Sequence, residues 1–162
     1  MKVNVINKST NDLPTYAKPG DSGMDVRADF SRGIGEKHPM HFAEYDEISK
    51  KTLIFSGGRA LIPTGIFTSF PPGYEIQVRP RSGLALKSGI TVLNTPGTID
   101  SGYRNELGVI LMNLSDEVFE IEQGDRIAQI VLAKVSLIEW NQVLDLDVSD
   151  RGEGGLGSSG VK

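Results

Sequence analysis

The C-terminal stretch DRGEGGLGSSGVK, Asp150–Lys162, carries groups that suit phosphate chemistry. Closely spaced glycines let backbone N–H groups turn toward anionic oxygens, Arg151 offers a bidentate charged contact, and Ser158 and Ser159 offer hydroxyl donors. Together these groups can hold a triphosphate, although the stretch lacks the GxxxxGK[ST] spacing of a Walker loop. Taken alone, a glycine- and serine-rich end is more typical of a disordered terminus than of a phosphate-binding strap.

Two stretches in the first half of the chain add an acid and a second phosphate-binding group. In PGDSGMDVRA, Asp25 stands beside small residues at the expected start of a strand. In RPRSGLALKSG, Arg81, Ser82 and Gly83 lie where a strand is expected to give way to a helix, so N–H groups and a hydroxyl suit phosphate. Each has a plainer interpretation, since Asp25 can cap a turn and Arg81 can pair with a surface acid.

Two later stretches add polar groups on expected strands. LNTPGTIDSGYRNELGV, Leu93–Val109, is interpreted as a hairpin that carries Asn94, Asp100 and Tyr103. GDRIAQIVL places Gln129 within an apolar strand, where an unpaired amide would be costly. The plainer interpretations are that Tyr103 packs against its neighbours and that Gln129 satisfies backbone groups.

The elements that must position these residues are short strands separated by glycine and proline turns such as FPPGY, NTPGT and EQGDR. The best helix candidate is the short stretch SGLALKSG. Many short strands with little helix favour an antiparallel sandwich, jelly roll or barrel. The predicted strands are Val3–Ile6, Ala60–Phe70, Tyr74–Pro80, Gly89–Asn94, Leu107–Leu114, Val118–Gln123 and Ile127–Val135.

The composition of the whole chain narrows the function classes. At 162 residues the chain is most simply one domain. Its net charge of −4 argues against polyanion binding through bulk charge, so no direct nucleic-acid partner is expected. The absence of cysteine excludes disulfides and thiolate metal sites. The start has no apolar leader and no run approaches membrane-spanning length, which predicts a soluble, cytoplasmic protein without a membrane partner.

The segment Asp29–Thr52 departs from the strand pattern, because it mixes charges with scattered aromatic residues and lacks clear alternation. His38 and His41 stand three positions apart in it, but Pro39 lies between them and no further ligand is obvious. We therefore expect a large loop or elaboration of the core, not a metal site.

In their order, the five stretches resemble the five motifs of the homotrimeric dUTPase (dUTP diphosphatase) family. PRSGLALK, GTIDSGY, GDRIAQ and RGEGGLGSSG carry the resemblance, which runs from about Pro19 to Gly160 with an interruption at Asp29–Thr52. It implies an all-β fold, a distorted antiparallel jelly roll or barrel of the β-clip type, that assembles as a homotrimer with shared active sites. It also implies one β domain over residues 1–148 and a flexible glycine-rich lid arm over residues 149–162.

The resemblance implies a reaction, the Mg²⁺-dependent hydrolysis of dUTP to dUMP and pyrophosphate, which keeps uracil out of DNA and supplies dUMP. Asp100 matches the general base that activates the water attacking the α-phosphorus. Asp25 matches the acid that holds the water shell of a Mg²⁺ ion bound to the triphosphate. Asn94 would read the uracil edge, and Tyr103 would lie against the deoxyribose and exclude a 2′-hydroxyl. The implied substrate-binding residues are Arg81, Ser82, Gly83, Asn94, Thr98, Ile99, Tyr103, Gly108, Gln129, Arg151, Leu156, Ser158 and Ser159.

Three features depart from the family pattern. Leu156 stands where a phenylalanine usually stacks on uracil, so lid closure over the base should be weaker. Gly102 stands where an acid is common. The segment Asp29–Thr52 adds roughly fifteen to twenty residues to the usual connection, and loops of that length are often functional. Because insertions occur in phage-encoded members that act as regulators, a phage source and a regulatory protein partner for this segment are further hypotheses.

Two other function classes stay open at this point. A dCTP deaminase, or a bifunctional relative of it, shares the fold but needs a glutamate that activates water at the base, and SGLALK and GTIDSGY fit the hydrolase better. A non-catalytic nucleotide sensor would have little need for a general base, and the chain keeps Asp25, Asp100, Tyr103 and Arg151 together.

Overall fold

The computed structural model describes residues 1–35, 37–150 and 152, and this part of the chain is built mainly from antiparallel strands. Within these residues no helix has the length and apolar composition needed to cross a membrane. In chain order the elements are β1 (Asn4–Asn7), β2 (Met24–Arg27), β3 (Met40–Asp46), β4 (Lys51–Pro63), β5 (Ile66–Ser69), β6 (Tyr74–Arg79), α1 (Ser82–Ser88), β7 (Ile90–Val92), β8 (Gly97–Asp100), β9 (Gly108–Asn113), β10 (Phe119–Glu122) and β11 (Arg126–Lys134).

Two larger sheets and one strand pair account for the described strands. The first sheet has the order β2-β11-β6-β8, and the second has the order β10-β4-β9-β7 with β3 paired to the other edge of β4. The strands β1 and β5 form a separate pair. Every strand pairing in the described residues is antiparallel. The prediction of an all-β antiparallel fold is therefore confirmed.

The core lies where the two larger sheets contribute alternate side chains. In β9, Val109, Leu111 and Asn113 are buried while the residues between them are half-buried, which is the period of a strand with one face toward a core. The other strands add apolar side chains to the same cluster, and the largest fully buried ones include Ile54, Ile62, Ile90, Ile121, Ile127 and Phe30. One continuous core thus holds both sheets together.

The predicted strand Ala60–Phe70 is wrong as a single element, because the chain breaks at Thr64 and Gly65 into β4 and β5. The Thr64 hydroxyl donates to the Leu107 carbonyl at 2.5 Å and is buried, and Gly65 has a φ of +70°. A continuous apolar run hides such a break, since periodicity does not report a tertiary hydrogen bond.

Of the two expectations for Asp29–Thr52, a large loop or an elaboration of the core, the second half of the segment is an elaboration. β3 lies inside the segment and pairs with β4 from Met40 opposite Ala60 to Asp46 opposite Lys51. The turn between these strands is closed by Asp46, whose carboxylate accepts from the Ser49 hydroxyl at 2.7 Å and from the Ile48 N–H at 2.9 Å. These hydrogen bonds hold the pKa of Asp46 below its ordinary value, and the one from the Ser49 hydroxyl has the largest effect.

The expected hairpin at Leu93–Val109 is not a paired ladder. β7 and β9 lie in the second sheet, whereas β8 pairs with β6 in the first sheet. The chain therefore crosses from one sheet to the other and back within this stretch, which opens a gap between β8 and β9.

Substitution of Gly65 tests the break between β4 and β5. A β-carbon at this position would lie 2.6 Å from the Ser9 backbone nitrogen. We expect Gly65→Ala to lower the free energy of unfolding by about 2–4 kcal/mol, because overpacking adds to the strain of a left-handed backbone. Urea denaturation measures the change.

Gly73→Ala is the matched control, since Gly73 has a φ of +88° but an added β-carbon there meets nothing within 4 Å. It should cost only the backbone strain, about 1–2 kcal/mol. Equal costs for the two variants would contradict the close approach of residue 9 to this turn.

Candidate active site

The strand β11 brings together residues from three of the five stretches described above, PGDSGMDVRA, RPRSGLALKSG and GDRIAQIVL. Gln129 on β11 pairs with Asp25 on β2 and, on its other side, with Arg79 at the end of β6. Because antiparallel partners across a sheet lie about 5 Å apart, the acid, the amide and the strand end that leads to Arg81 are neighbours. Sequence positions that are roughly fifty residues apart thus form one cluster, as the sheet geometry requires.

The carboxylate of Asp25 is held between two arginines. Arg81 Nε lies 3.0 Å from Asp25 Oδ1, and Arg126 Nη1 lies 3.4 Å from Asp25 Oδ2. Arg81 Nη1 also donates to the Arg126 carbonyl at 2.9 Å. The side chains of Asp25 and Arg81 keep 33% and 24% of their exposure, so solvent and a ligand can still reach them.

The amide of Gln129 is satisfied by the backbone, as its plainer interpretation proposed. Its Nε2 donates to the Pro80 carbonyl at 2.9 Å, which ties β11 to the start of the turn before α1. Asp25 and Gln129 also line a cavity of about 540 Å³, together with Arg27, Arg126 and residues of the N-terminal segment. The amide therefore has both a structural contact and an open side.

Ser82 and Gly83 begin α1, and both are exposed. Arg81 precedes the helix in an extended conformation and makes no side-chain hydrogen bond to its N-terminal amides, so these donors face outward without a cap from that residue. An added β-carbon at Gly83 would meet nothing within 4 Å. Packing within the described part of the chain therefore does not require glycine here, and close approach of a ligand to the backbone would.

A second cavity, of about 180 Å³, lies in the gap between β8 and β9. Its sides are apolar, with Leu61, Val78, Val92 and Ile110, and a β-carbon on Gly108 would lie 2.7 Å from Leu61 Cδ1. Glycine at position 108 therefore avoids a clash with Leu61 at the bottom of this cavity. Five residues that the sequence analysis predicted as substrate-binding line the cavity: Asn94, Thr98, Ile99, Tyr103 and Gly108.

Asp100 is the last residue of β8, directly after Ile99, and it is exposed. Its backbone carbonyl accepts from the Tyr103 N–H at 3.0 Å, which closes a tight turn through Ser101 and Gly102. The Tyr103 hydroxyl in turn donates to the Glu106 carbonyl at 3.0 Å. A solvent-accessible carboxylate thus stands at the end of the strand that lines the second cavity.

Comparison with known proteins identifies the family. A family model described as dUTPase matches residues 9–160. The chain belongs to the dUTPase family. It is 49% identical over 160 residues to a deoxyuridine 5'-triphosphate nucleotidohydrolase of Finegoldia magna, with 99% of each chain covered. It is 48% identical to the protein of the same name from Fusobacterium nucleatum, covering 99% of this chain and 97% of that one.

A solved structure shows the same fold for a dUTPase of the Staphylococcus bacteriophage 80alpha with dUPNHPP. The TM-score is 0.77 at 25% identity, with 99% of each chain covered.

The dUTPase motifs form two groups on one chain. Asp25, Arg81 and Gln129 meet around β11, whereas Asn94 and Tyr103 line the second cavity with their neighbours. The roles of these residues stay predictions. The predicted lid residues Arg151, Leu156, Ser158 and Ser159 lie outside the described residues.

Two side chains in these groups were not predicted from the sequence. Arg126 contacts Asp25, and Glu106 lines the second cavity. Both lie inside stretches singled out for other residues, so the signal available was their position within GDRIAQIVL and LNTPGTIDSGYRNELGV.

The donor set around Asp25 fits a magnesium ion only in an indirect way. Among the described residues no three acidic, histidine or cysteine side chains cluster as a metal cage. Asp25 is a lone carboxylate with an arginine beside each oxygen, so it can hold the water shell of an ion that phosphate oxygens bind directly. The chemistry of the group thus matches the expected water-mediated role.

Arg81→Gln tests whether the contact between Arg81 and Asp25 serves the fold. Both side chains are partly exposed, so we expect the free energy of unfolding to fall by about 1 kcal/mol or less. Ile62→Ala, which truncates a fully buried side chain, is the reference and should cost about 2–5 kcal/mol. Chemical denaturation compares them, and equal losses would make the ion pair a structural one.

Proposed function

We propose that this chain hydrolyses dUTP to dUMP and pyrophosphate. The observation that carries the proposal is the 180 Å³ cavity between β8 and β9, hereafter the nucleotide cavity. It gathers five of the residues predicted to bind substrate, among them Asn94 for the uracil edge and Tyr103 for the deoxyribose. Membership of the dUTPase family supports the same substrate, since the Finegoldia and Fusobacterium relatives are named deoxyuridine 5'-triphosphate nucleotidohydrolases.

The cavity suits a small pyrimidine with a deoxyribose. Asn94 supplies an amide with both donors and an acceptor, which can pair with the complementary groups on the uracil edge. The ring of Tyr103 forms a wall against the sugar, where an extra 2′-hydroxyl would collide. The apolar side chains around the cavity exclude water from the base.

The chemical step is attack of water on the α-phosphorus. Asp100 accepts one proton of the water while the water oxygen forms a bond to the α-phosphorus. The bond from the α-phosphorus to the bridging oxygen breaks and releases pyrophosphate. The exposed carboxylate of Asp100 directly follows Ile99, which lines the nucleotide cavity, and this neighbourhood supports the proposed role.

The triphosphate would be positioned by the cluster around β11. Arg81 offers its guanidinium, Ser82 and Gly83 offer donors at the start of α1, and Gln129 offers its amide. A Mg²⁺ ion, when bound to the triphosphate and held through water by Asp25, supplies charge neutralisation for the leaving pyrophosphate. The tail is proposed to close over the phosphates with Arg151, Ser158 and Ser159, and over the base with Leu156.

We further propose that the protein is a homotrimer with shared sites, with one β domain over residues 1–148 and a lid over residues 149–162. In the described part of one chain, the cavity lined by Asp25 and Gln129 and the nucleotide cavity share no lining residue. This supports a site that combines the two from neighbouring copies. The segment after β11 supports contact with another copy, because Leu137, Trp140 and Leu144 are 91%, 87% and 101% exposed. Apolar side chains exposed in a row mark an interaction surface.

Pyrophosphate release from dUTP tests the activity and the base together. We expect turnover by the wild type with Mg²⁺, little with EDTA, and little with dTTP, dCTP or UTP. Asp100→Asn should reduce turnover at least about a hundredfold, because the amide cannot take a proton from water. Since Asp100 is exposed, this variant should keep the fold.

Each unexpected result has a definite meaning. Uracil nucleotides formed from dCTP would move the protein to the deaminase class. Nucleotide binding without turnover by the wild type would make it a sensor. Full activity of Asp100→Asn would show that Asp100 is not the general base.

Gly83→Ala tests close approach of the phosphates to α1. The fold should be unchanged or slightly stabilised, since the added methyl group meets no atom within 4 Å and alanine favours a helix. We expect kcat/KM for dUTP to fall by about ten- to a hundredfold, because the phosphates are displaced from the backbone donors. Gly35→Ala, equally open at its β-position, is the control and should retain wild-type kinetics.

A further inference from the structure

The loop that carries Tyr103 is fixed at its far end by Glu106. The side chain of Glu106 is 17% exposed, and its Oε1 accepts from the Gly65 N–H and from Arg32 Nη2, each at 2.7 Å. The next residue, Leu107, is buried and donates its N–H to the Ile66 carbonyl at 2.8 Å. The end of the loop is therefore clamped against the turn between β4 and β5.

The Glu106 backbone also holds Tyr103 itself, because its carbonyl accepts from the tyrosine hydroxyl at 3.0 Å. Tyr103 is 37% exposed, so packing alone does not fix its ring. The position of this ring therefore depends on the position of Glu106.

Arg32 also forms an ion pair with a buried acid. Its Nε lies 3.5 Å from Oδ2 of Asp29, whose side chain is fully buried. The other Asp29 oxygen accepts from the Ser31 hydroxyl at 2.7 Å and from Gln123 Nε2 at 3.3 Å, and the Asp29 N–H donates to the Pro63 carbonyl at 2.9 Å. Asp29 thus faces Arg32 as an ion-pair partner from the core, without a hydrogen bond at Oδ2, while the Arg32 guanidinium donates to Glu106.

The contact between Arg32 and Glu106 is a strong one by its geometry. A charge-assisted hydrogen bond of 2.7 Å to a partly buried carboxylate is shorter than a neutral one and stronger. The hydrogen bond to Glu106 also raises the pKa of Arg32 above its ordinary value, with a smaller contribution from Asp29.

The pair joins two cavities of the chain. Glu106 lines the nucleotide cavity, whereas Arg32 lines a separate cavity of about 360 Å³ with Lys37 and His38 in the segment 29–52. The segment 29–52 therefore contacts the wall of the nucleotide cavity through Arg32, which lies 74 residues before Glu106 in the sequence.

We propose that Arg32 is a positioning residue for sugar recognition, which holds Tyr103 in place through Glu106. The inference rests on the proposed dUTP hydrolysis and deepens it, because it makes the segment 29–52 part of substrate selection. Loss of the guanidinium leaves Glu106 with the Gly65 N–H alone and lets the loop shift at Tyr103. Asp100 lies on β8, which is held by its pairing with β6, so the chemical step stays largely intact.

Steady-state kinetics of full-length Arg32→Gln with dUTP and UTP tests the inference. We expect KM for dUTP to rise about fivefold, kcat to stay within about twofold, and the ratio of kcat/KM for dUTP over UTP to fall about fivefold. Arg32→Lys keeps a cation near Glu106 and should recover most of the discrimination.

Lys37→Gln is the matched control, because it removes the same charge from the same cavity. Within residues 1–35, 37–150 and 152, no ion pair joins Lys37 to the loop, so wild-type kinetics are expected. If Arg32→Gln lowers only the melting temperature and leaves KM and the UTP ratio unchanged, the pair is structural and the inference is overturned.

Glu106→Gln provides a second route should Arg32→Gln fail to fold. Its amide oxygen can still accept from the Gly65 N–H, but its charge is gone, so the same rise in KM is expected. The double variant should be no worse than either single variant if the two residues act as a pair. Additive effects would overturn the inference. A wild type without dUTP turnover would instead overturn the proposed function, which keeps the two failures distinct.

Discussion

The register of β11 between β2 and β6 is the constraint on which the cluster of Asp25, Arg81 and Gln129 depends. It sets Gln129 opposite both Asp25 and Arg79, and so brings Arg81 to the Asp25 carboxylate. A slip of one residue along β11 would turn its side chains to the opposite faces and bury polar groups in the core. Ala128 and Ile130 are buried on either side of the half-buried Gln129 and oppose that slip, so the packing of the core and the geometry of the cluster have one cause.

The nucleotide cavity has a different origin, which is a change of sheet. β8 pairs with β6 and not with β9, which leaves a gap between β8 and β9. Gly108 keeps this gap open, because a side chain there would collide with Leu61. Polar groups for the base and sugar therefore come from loops and strand ends, while the apolar floor comes from strands. This division suits a dUTPase, because the sheets hold the apolar side chains of the cavity, while the end of β8 and the loop after it carry Asp100 and Tyr103.

Electrostatic contacts link the segment 29–52 to that loop without adding to the sheets. A buried carboxylate, Asp29, is ion-paired with Arg32, and Arg32 donates a hydrogen bond to Glu106. A buried charge is costly unless it is paired, so this chain of contacts is expected to be kept intact in the folded protein. Part of the segment is also a strand, β3, which covers the edge of β4. The segment is therefore part of the domain in both its packing and its charges.

The sequence by itself determined the family and most of the strands. Local alternation and turn residues predict β6, β9, β10, β11 and the helix α1 within one or two residues, because several of their ends are marked by turn residues such as Gly73, Pro80, Gly89 and Gly124. Tertiary structure decided the break at Thr64, the strand β3 and the pair of Arg32 with Glu106. Each of these depends on a partner distant in sequence, which local periodicity does not report. The separation of the motifs into two groups is likewise a property of the sheets, since only strand pairing decides which motifs become neighbours.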